Sequence, residues 1–108
     1  MLDTSELITV GERFADRLRA APQSRLQRGA AAEGLALARE LSVRAQRLEN
    51  PSGEPMIMPD EGVFAVADQL MVAVRDLAEI LRVTPAGPEE VDAAVVLVQE
   101  AAARADAR

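Results

Sequence analysis

The sequence predicts an all-α protein, a four-helix bundle of two antiparallel helical hairpins joined by a Pro-rich crossover. Three observations carry that prediction. The six prolines fall in three clusters, Pro22, then Pro51, Pro55 and Pro59, then Pro85 and Pro88, and divide the chain into four stretches. Within each stretch apolar residues recur at spacings of three and four, the period of one helix face. The run Val95-Val96-Leu97-Val98, which alone would suit a buried strand, has no partner strand and is flanked by Ala and Glu, so it reads as helix.

The first helix spans 4–21. Asp3 and Glu6 have capping-box spacing, and Leu2 and Leu7 are placed for a hydrophobic staple across the start. Leu7, Val10, Phe14, Leu18 and Ala21 form one face, and Pro22 closes it. The second helix spans 24–49, beginning with Pro22 in its first turn or with Ser24 as cap, since Ser24 and Gln27 repeat the capping-box spacing. Its seam, Leu26, Ala30, Gly34, Leu37, Leu41, Ala45 and Leu48, contains small residues at Ala30, Gly34 and Ala45 that let a neighbouring helix approach closely. Asn50-Pro51 ends it.

Residues 50–59 cannot be regular helix, because three prolines remove backbone donors and restrict the residues before them. They form the crossover. The third helix spans 60–83 and is apolar over more than one stripe: Val63, Ala67, Leu70, Val74, Leu77 and Leu81, widened by Phe64, Met71 and Ala78 among others. Only Asp68, Gln69, Arg75, Asp76, Glu79 and Arg82 remain polar, the pattern of a helix buried on more than one side. Thr84-Pro85-Ala86-Gly87-Pro88 stops and restarts the chain, with Pro88 at a first helical position and Glu89 and Glu90 near the helix N-terminus. The fourth helix spans 88–106, with a stripe of Val91, Ala94, Val95, Val98, Ala101, Ala102 and Ala105 and a terminus expected to fray.

A length of 108 residues is one domain, 1–108. The apolar share is 49%, yet 21 residues are Ala and only Phe14 and Phe64 are aromatic, so the core is aliphatic with closely approaching backbones. The chain has no His, Cys, Trp, Tyr or Lys. That excludes disulfides, thiolate chemistry and the common structural zinc sites. It also leaves Ser and Thr hydroxyls without a His or Lys base. No catalytic residue, cofactor or metal site is expected. Asp68 with Asp76, and Asp92 with Glu100, lie two helical turns apart but read as solvated acidic faces. Twelve Arg without Lys, beside so much Ala, suggest a GC-rich bacterial genome.

The net charge of −6 is unevenly spread. Residues 1–49 hold eight Arg against seven acids, and residues 50–108 hold four Arg against eleven acids. Arg13, Arg17, Arg19, Arg25, Arg28, Arg39, Arg44 and Arg47 are interleaved with acids, so their fields largely cancel. An acidic chain without stacking aromatics is not expected to bind nucleic acid. No apolar run is long enough to cross a membrane, and the N-terminus lacks a signal-peptide pattern, so a cytoplasmic protein is expected.

Apolar surface is what remains. Met56-Ile57-Met58 lies in the crossover, where it either plugs one end of the bundle or meets a partner. Val72, Val96 and Leu97 lie off the main stripes. Met56, Ile57, Met58, Val72, Val96 and Leu97 are therefore the candidate contact residues. The expected function is a non-catalytic interaction or regulatory protein acting as a homodimer. The alternatives are a small-molecule or metal-binding helical protein or enzyme using an Arg and a carboxylate between helices, and a DNA-associated regulator.

Overall fold

The prolines and glycines decide where helices stop. The computed structural model describes residues 2–108, and among them every regular element is helical. The elements are α1 (Ser5–Ala20), a short α2 (Gln23–Arg25) followed by a kinked segment (Leu26–Ala30), α3 (Ala31–Glu49), α4 (Val66–Val83) and α5 (Pro88–Asp106). The Cα radius of gyration is 13.5 Å, close to the ~13 Å of a globular chain of this length. The helices therefore pack as one body.

The start of α1 is set slightly differently from the capping box. Thr4 is the N-cap but its side chain makes no capping bond. The Asp3 carboxylate instead accepts from the Ser5 amide (2.9 Å) and the Ser5 hydroxyl (2.6 Å). Those two bonds hold the Asp3 carboxyl below its ordinary pKa. Leu7, Phe14 and Leu18 are buried as their spacing requires, and so is Gly11, which faces Val74 of α4.

The second stretch is not one unbroken helix. Gly29 adopts φ 140°, ψ −10°, a conformation that side chains bearing a Cβ rarely take, and the helix is broken there. The break rephases the chain, so that Ala31, Leu35 and Ala38 join Gly34, Leu37 and Leu41 on the buried face of α3. Pro22, extended at φ −65° and ψ 152°, is the N-cap, and the Ser24 capping box does not form. Gly34 meets Val66 of α4 and Leu18 of α1, the close approach its small size allows.

Helix α4 begins at Val66, six residues later than the periodicity predicts. The Asp60 carboxylate accepts from the Gly62 amide (2.8 Å), closing a turn, and Gly62 then takes φ 95°. Residues 60–64 thus lie outside the helix, and the Ala65 carbonyl accepts its first bond, from the Gln69 amide at 3.0 Å. Two further expectations change as a result. Phe64 does not widen a buried stripe but is 73% exposed, and Gln69 is buried rather than on the polar face. The rest of α4 is buried on two sides as expected, packing chiefly against α3 and α1.

Helix α5 starts at Pro88 with Glu89 and Glu90 in its first turn. It contacts α3 and α1 and shares few contacts with α4. It runs to Asp106, as its periodicity predicts. Arg104 Nε and Arg108 Nη2 donate to the two oxygens of Glu33 at 3.0 and 2.7 Å, tying the last turn to the start of α3. Those bonds hold the Glu33 carboxyl below its ordinary value, Arg108 having the larger effect and Arg104 the next. Gly29 contributes here too: a Cβ on it would lie 3.1 Å from Arg108 Cδ.

Candidate functional site

The crossover is fastened rather than loose, and its fastening builds a groove. After a turn in which the Gly53 amide bonds the Asn50 carbonyl (3.1 Å), the chain runs extended to Gly62. The Gln46 side-chain amide pairs with the backbone of Met56 on both sides: the Met56 amide donates to Oε1 and Nε2 donates to the Met56 carbonyl, each at 2.8 Å. Gln46 Nε2 also donates to the Ser42 hydroxyl (3.1 Å). Arg39 Nε donates to the Met58 carbonyl and Gln69 Nε2 to the Pro59 carbonyl, both at 2.8 Å. Three long side chains thus satisfy backbone carbonyls of a proline-rich segment that has no regular structure of its own.

The fastening sets which apolar side chains face water. Met58 is half-buried and packs on the core, whereas Met56 is 79% and Ile57 61% exposed. Only Met58 therefore behaves as a plug. Between the segment, the second half of α3 and the middle of α4 lies an open groove of about 550 Å³. Ala45, Met56, Ile57, Met58 and Ile80 give it an apolar lining, and Glu49, Asp76 and Glu79 are exposed acids along it. Among the described residues no basic side chain lines it, although Arg82 Nη1 lies 3.8 Å from Glu79 Oε2.

The other candidate contact residues are not all brought to this groove. Val72 is 55% exposed on α4, one helical turn before Asp76. Val96 is exposed on α5, and Leu97 beside it is half-buried against the core. The acidic pairs do not converge. Asp68 receives Arg19 Nη2 at 2.9 Å, and among the described residues no group of three or more Asp or Glu is placed to hold a metal ion. Among the arginines of the first half, Arg19 is tied to Asp16 and Asp68, Arg39 to Met58 and Arg44 to Glu40, and Arg17 lies loosely at 3.8 Å from Asp106. Among the described residues no helix is long and apolar enough to cross a membrane.

Gln46, Arg39 and Gln69 are the site residues that sequence patterning does not single out. Gln69 has one weak signal, a lone amide inside a broad apolar stripe. Its Nε2 holds the crossover while its buried Oε1 has no partner, the cost of placing a polar strap within the core. The chain matches no protein-family model, no curated protein and no solved structure.

Proposed function

We propose that this chain is a non-catalytic cytoplasmic interaction protein, a homodimer whose crossover groove takes up a basic amphipathic segment of a partner protein. The observation that carries the reading is the pair Met56 and Ile57, held outward by the Gln46 bonds beside a groove lined by Glu49, Asp76 and Glu79, of which Glu79 is loosely paired with Arg82 at 3.8 Å. Exposed apolar side chains gain about 25 cal/mol for each Å² removed from water. A segment fixed by several hydrogen bonds loses little further entropy when a partner covers it. Like charges would face each other if two copies met groove to groove, so the groove is assigned to a partner and the second copy to the exposed Val96 face of α5.

The scaffold we propose is a four-helix bundle in which α1 and α3, and α4 and α5, run antiparallel but lie diagonally, each packing chiefly on the helices of the other pair. The end of α1 lies by the start of α4 through Arg19 and Asp68, and the end of α5 lies by the start of α3 through Arg104 and Glu33. Gly34 near Val66, and Leu48 sharing a cleft with Leu77 and Leu81, support α3 and α4 running in the same direction. In that arrangement the crossover returns along α3, consistent with Met56 bonding Gln46 and Met58 bonding Arg39.

The test uses a synthetic helical peptide of about 18 residues with a Leu face flanked by Arg, and a second peptide with Glu in place of Arg. Titration calorimetry is expected to show saturable binding of the basic peptide that weakens as salt rises, and at least tenfold weaker binding to Ile57→Glu. Equal affinity for both peptides, or an unchanged isotherm for Ile57→Glu, would remove the groove from the account.

A further inference from the structure

A second cleft lies away from the crossover, between the ends of α1 and α5 and the kinked segment Leu26–Ala30, with a volume of about 290 Å³. Its lining is apolar at Phe14, Leu18, Ala30 and Ala105, all buried residues. Its polar residues are Arg17, Arg25 and Asp106. Ala30 here and Ala45 in the groove are fifteen residues apart along the chain. That is about 22 Å of helix at ~1.5 Å per residue, so the two sites are separate.

The charges in this cleft are not balanced internally. Arg17 Nε approaches Asp106 Oδ1 only to 3.8 Å, beyond hydrogen-bonding distance, and both side chains are about half exposed. Arg25 is half-buried and has no ion-pair or hydrogen-bond partner among the described residues. A guanidinium bordering an apolar cleft without its own carboxylate is arranged to pair with one brought by a ligand. The wall that α5 contributes is fixed beforehand, because Glu33 clamps Arg104 and Arg108 on either side of Ala105 and Asp106. A preformed, mostly apolar concavity with a few convergent polar groups is the usual form of a small-molecule site.

We propose that this cleft binds a small amphiphilic monocarboxylate, its hydrocarbon or ring against Phe14 and Leu18 and its carboxylate on Arg25. Asp106 selects against dianions, since a second negative charge on the ligand would sit near its carboxylate. The volume, at the lower end of the ~300–1,000 Å³ found for ligand sites, restricts the ligand to a medium-length acyl chain or one aromatic ring. Arg17 supplies a second donor when its loose contact with Asp106 yields.

The experiment is calorimetric titration of the full chain with octanoate and 3-phenylpropionate below their aggregation range, with octanol and 3-phenylpropanol as uncharged counterparts. Saturable binding of an acid, without binding of its alcohol, is the expected result. Arg25→Gln should weaken binding by about tenfold or more, as loss of a charge-assisted hydrogen bond implies, while Arg25→Lys retains part of the affinity. Asp106→Asn, which frees Arg17, should tighten it. Circular dichroism of each variant checks that the helices persist. The proposal is overturned if no acid binds at millimolar concentration, if acid and alcohol bind alike, or if a folded Arg25→Gln binds as the unaltered protein does. None of these outcomes bears on peptide binding at the crossover groove.

Discussion

A single methyl group on Gly34 tests how α1, α3 and α4 meet. On an exposed helix, Gly→Ala is stabilising by about 0.8–1.0 kcal/mol, because alanine has less backbone freedom to lose. At this position the new Cβ would lie 2.7 Å from Val66 Cγ1 and 2.9 Å from Leu18 Cδ1. Both distances are well inside the ~3.5–4.0 Å optimum for carbon atoms. Neither neighbour can swing into solvent, since Val66 and Leu18 are both buried. Overpacking of this kind costs about 1–3 kcal/mol, so after the propensity gain Gly34→Ala should destabilise by about 1 kcal/mol. That corresponds to about 4–8 °C in melting temperature for a domain near this size. Urea unfolding followed by far-UV circular dichroism measures it. In a double-mutant cycle with Val66→Ala, which removes one of the two clashing groups, part of the penalty should disappear, with a coupling of about 0.5–1 kcal/mol. Stabilisation by Gly34→Ala of about the helix-propensity value would show that this face of α3 is open and would refute the packing.

Three further outcomes follow from the structure. Gly29→Ala forces a Cβ into a φ of 140° against Arg108 and should destabilise by about 1–2 kcal/mol, the sign opposite to an ordinary helical glycine, read in the same unfolding assay. Glu33→Gln should lower stability at neutral pH by about 1 kcal/mol, because two partly exposed arginines lose their carboxylate. The folded carboxyl lies below its ordinary 4.5, so this contribution is present above that value and is lost as pH falls through the lower folded one. The stability curves of the two proteins should therefore converge in acid, and a gap independent of pH would argue against the clamp. For self-association, sedimentation velocity at micromolar concentration should show a dimer that Val96→Glu weakens, whereas Leu97→Glu also disturbs the core. A clean monomer would remove the homodimer from the account.

What was legible in the sequence is what depends on neighbours along the chain. Pro22, the Pro85/Pro88 pair and the apolar spacing of α1 and α5 place helices to within a residue or two, because capping, proline geometry and helical period are local effects. Glycines were harder to read. Gly11, Gly29, Gly34 and Gly62 look alike in sequence, yet two sit at crowded helix crossings and two take positive φ. Asp60 two residues before Gly62 was the readable sign that α4 would start late. The candidate site was legible in part. Apolar residues in a proline-rich segment stood out, but whether Met56, Ile57 or Met58 faces water is set by Gln46, Arg39 and Gln69, ten to nineteen residues away. Bonds from a side chain to a distant backbone carbonyl leave no period or spacing to detect. The Glu33 clamp, spanning more than seventy residues, is hidden for the same reason.

Methionine methyl NMR tests the central claim, that the crossover presents a contact surface, most directly. Met56 and Met58 line the groove, and Met71 is buried in the core, so one spectrum carries both the reporters and their control. As the basic amphipathic peptide is added, the Met56 and Met58 methyl signals should shift and saturate together while that of Met71 stays in place. Unmoved signals from Met56 and Met58 at saturating peptide, or a shift of all three to the same extent, would contradict the account.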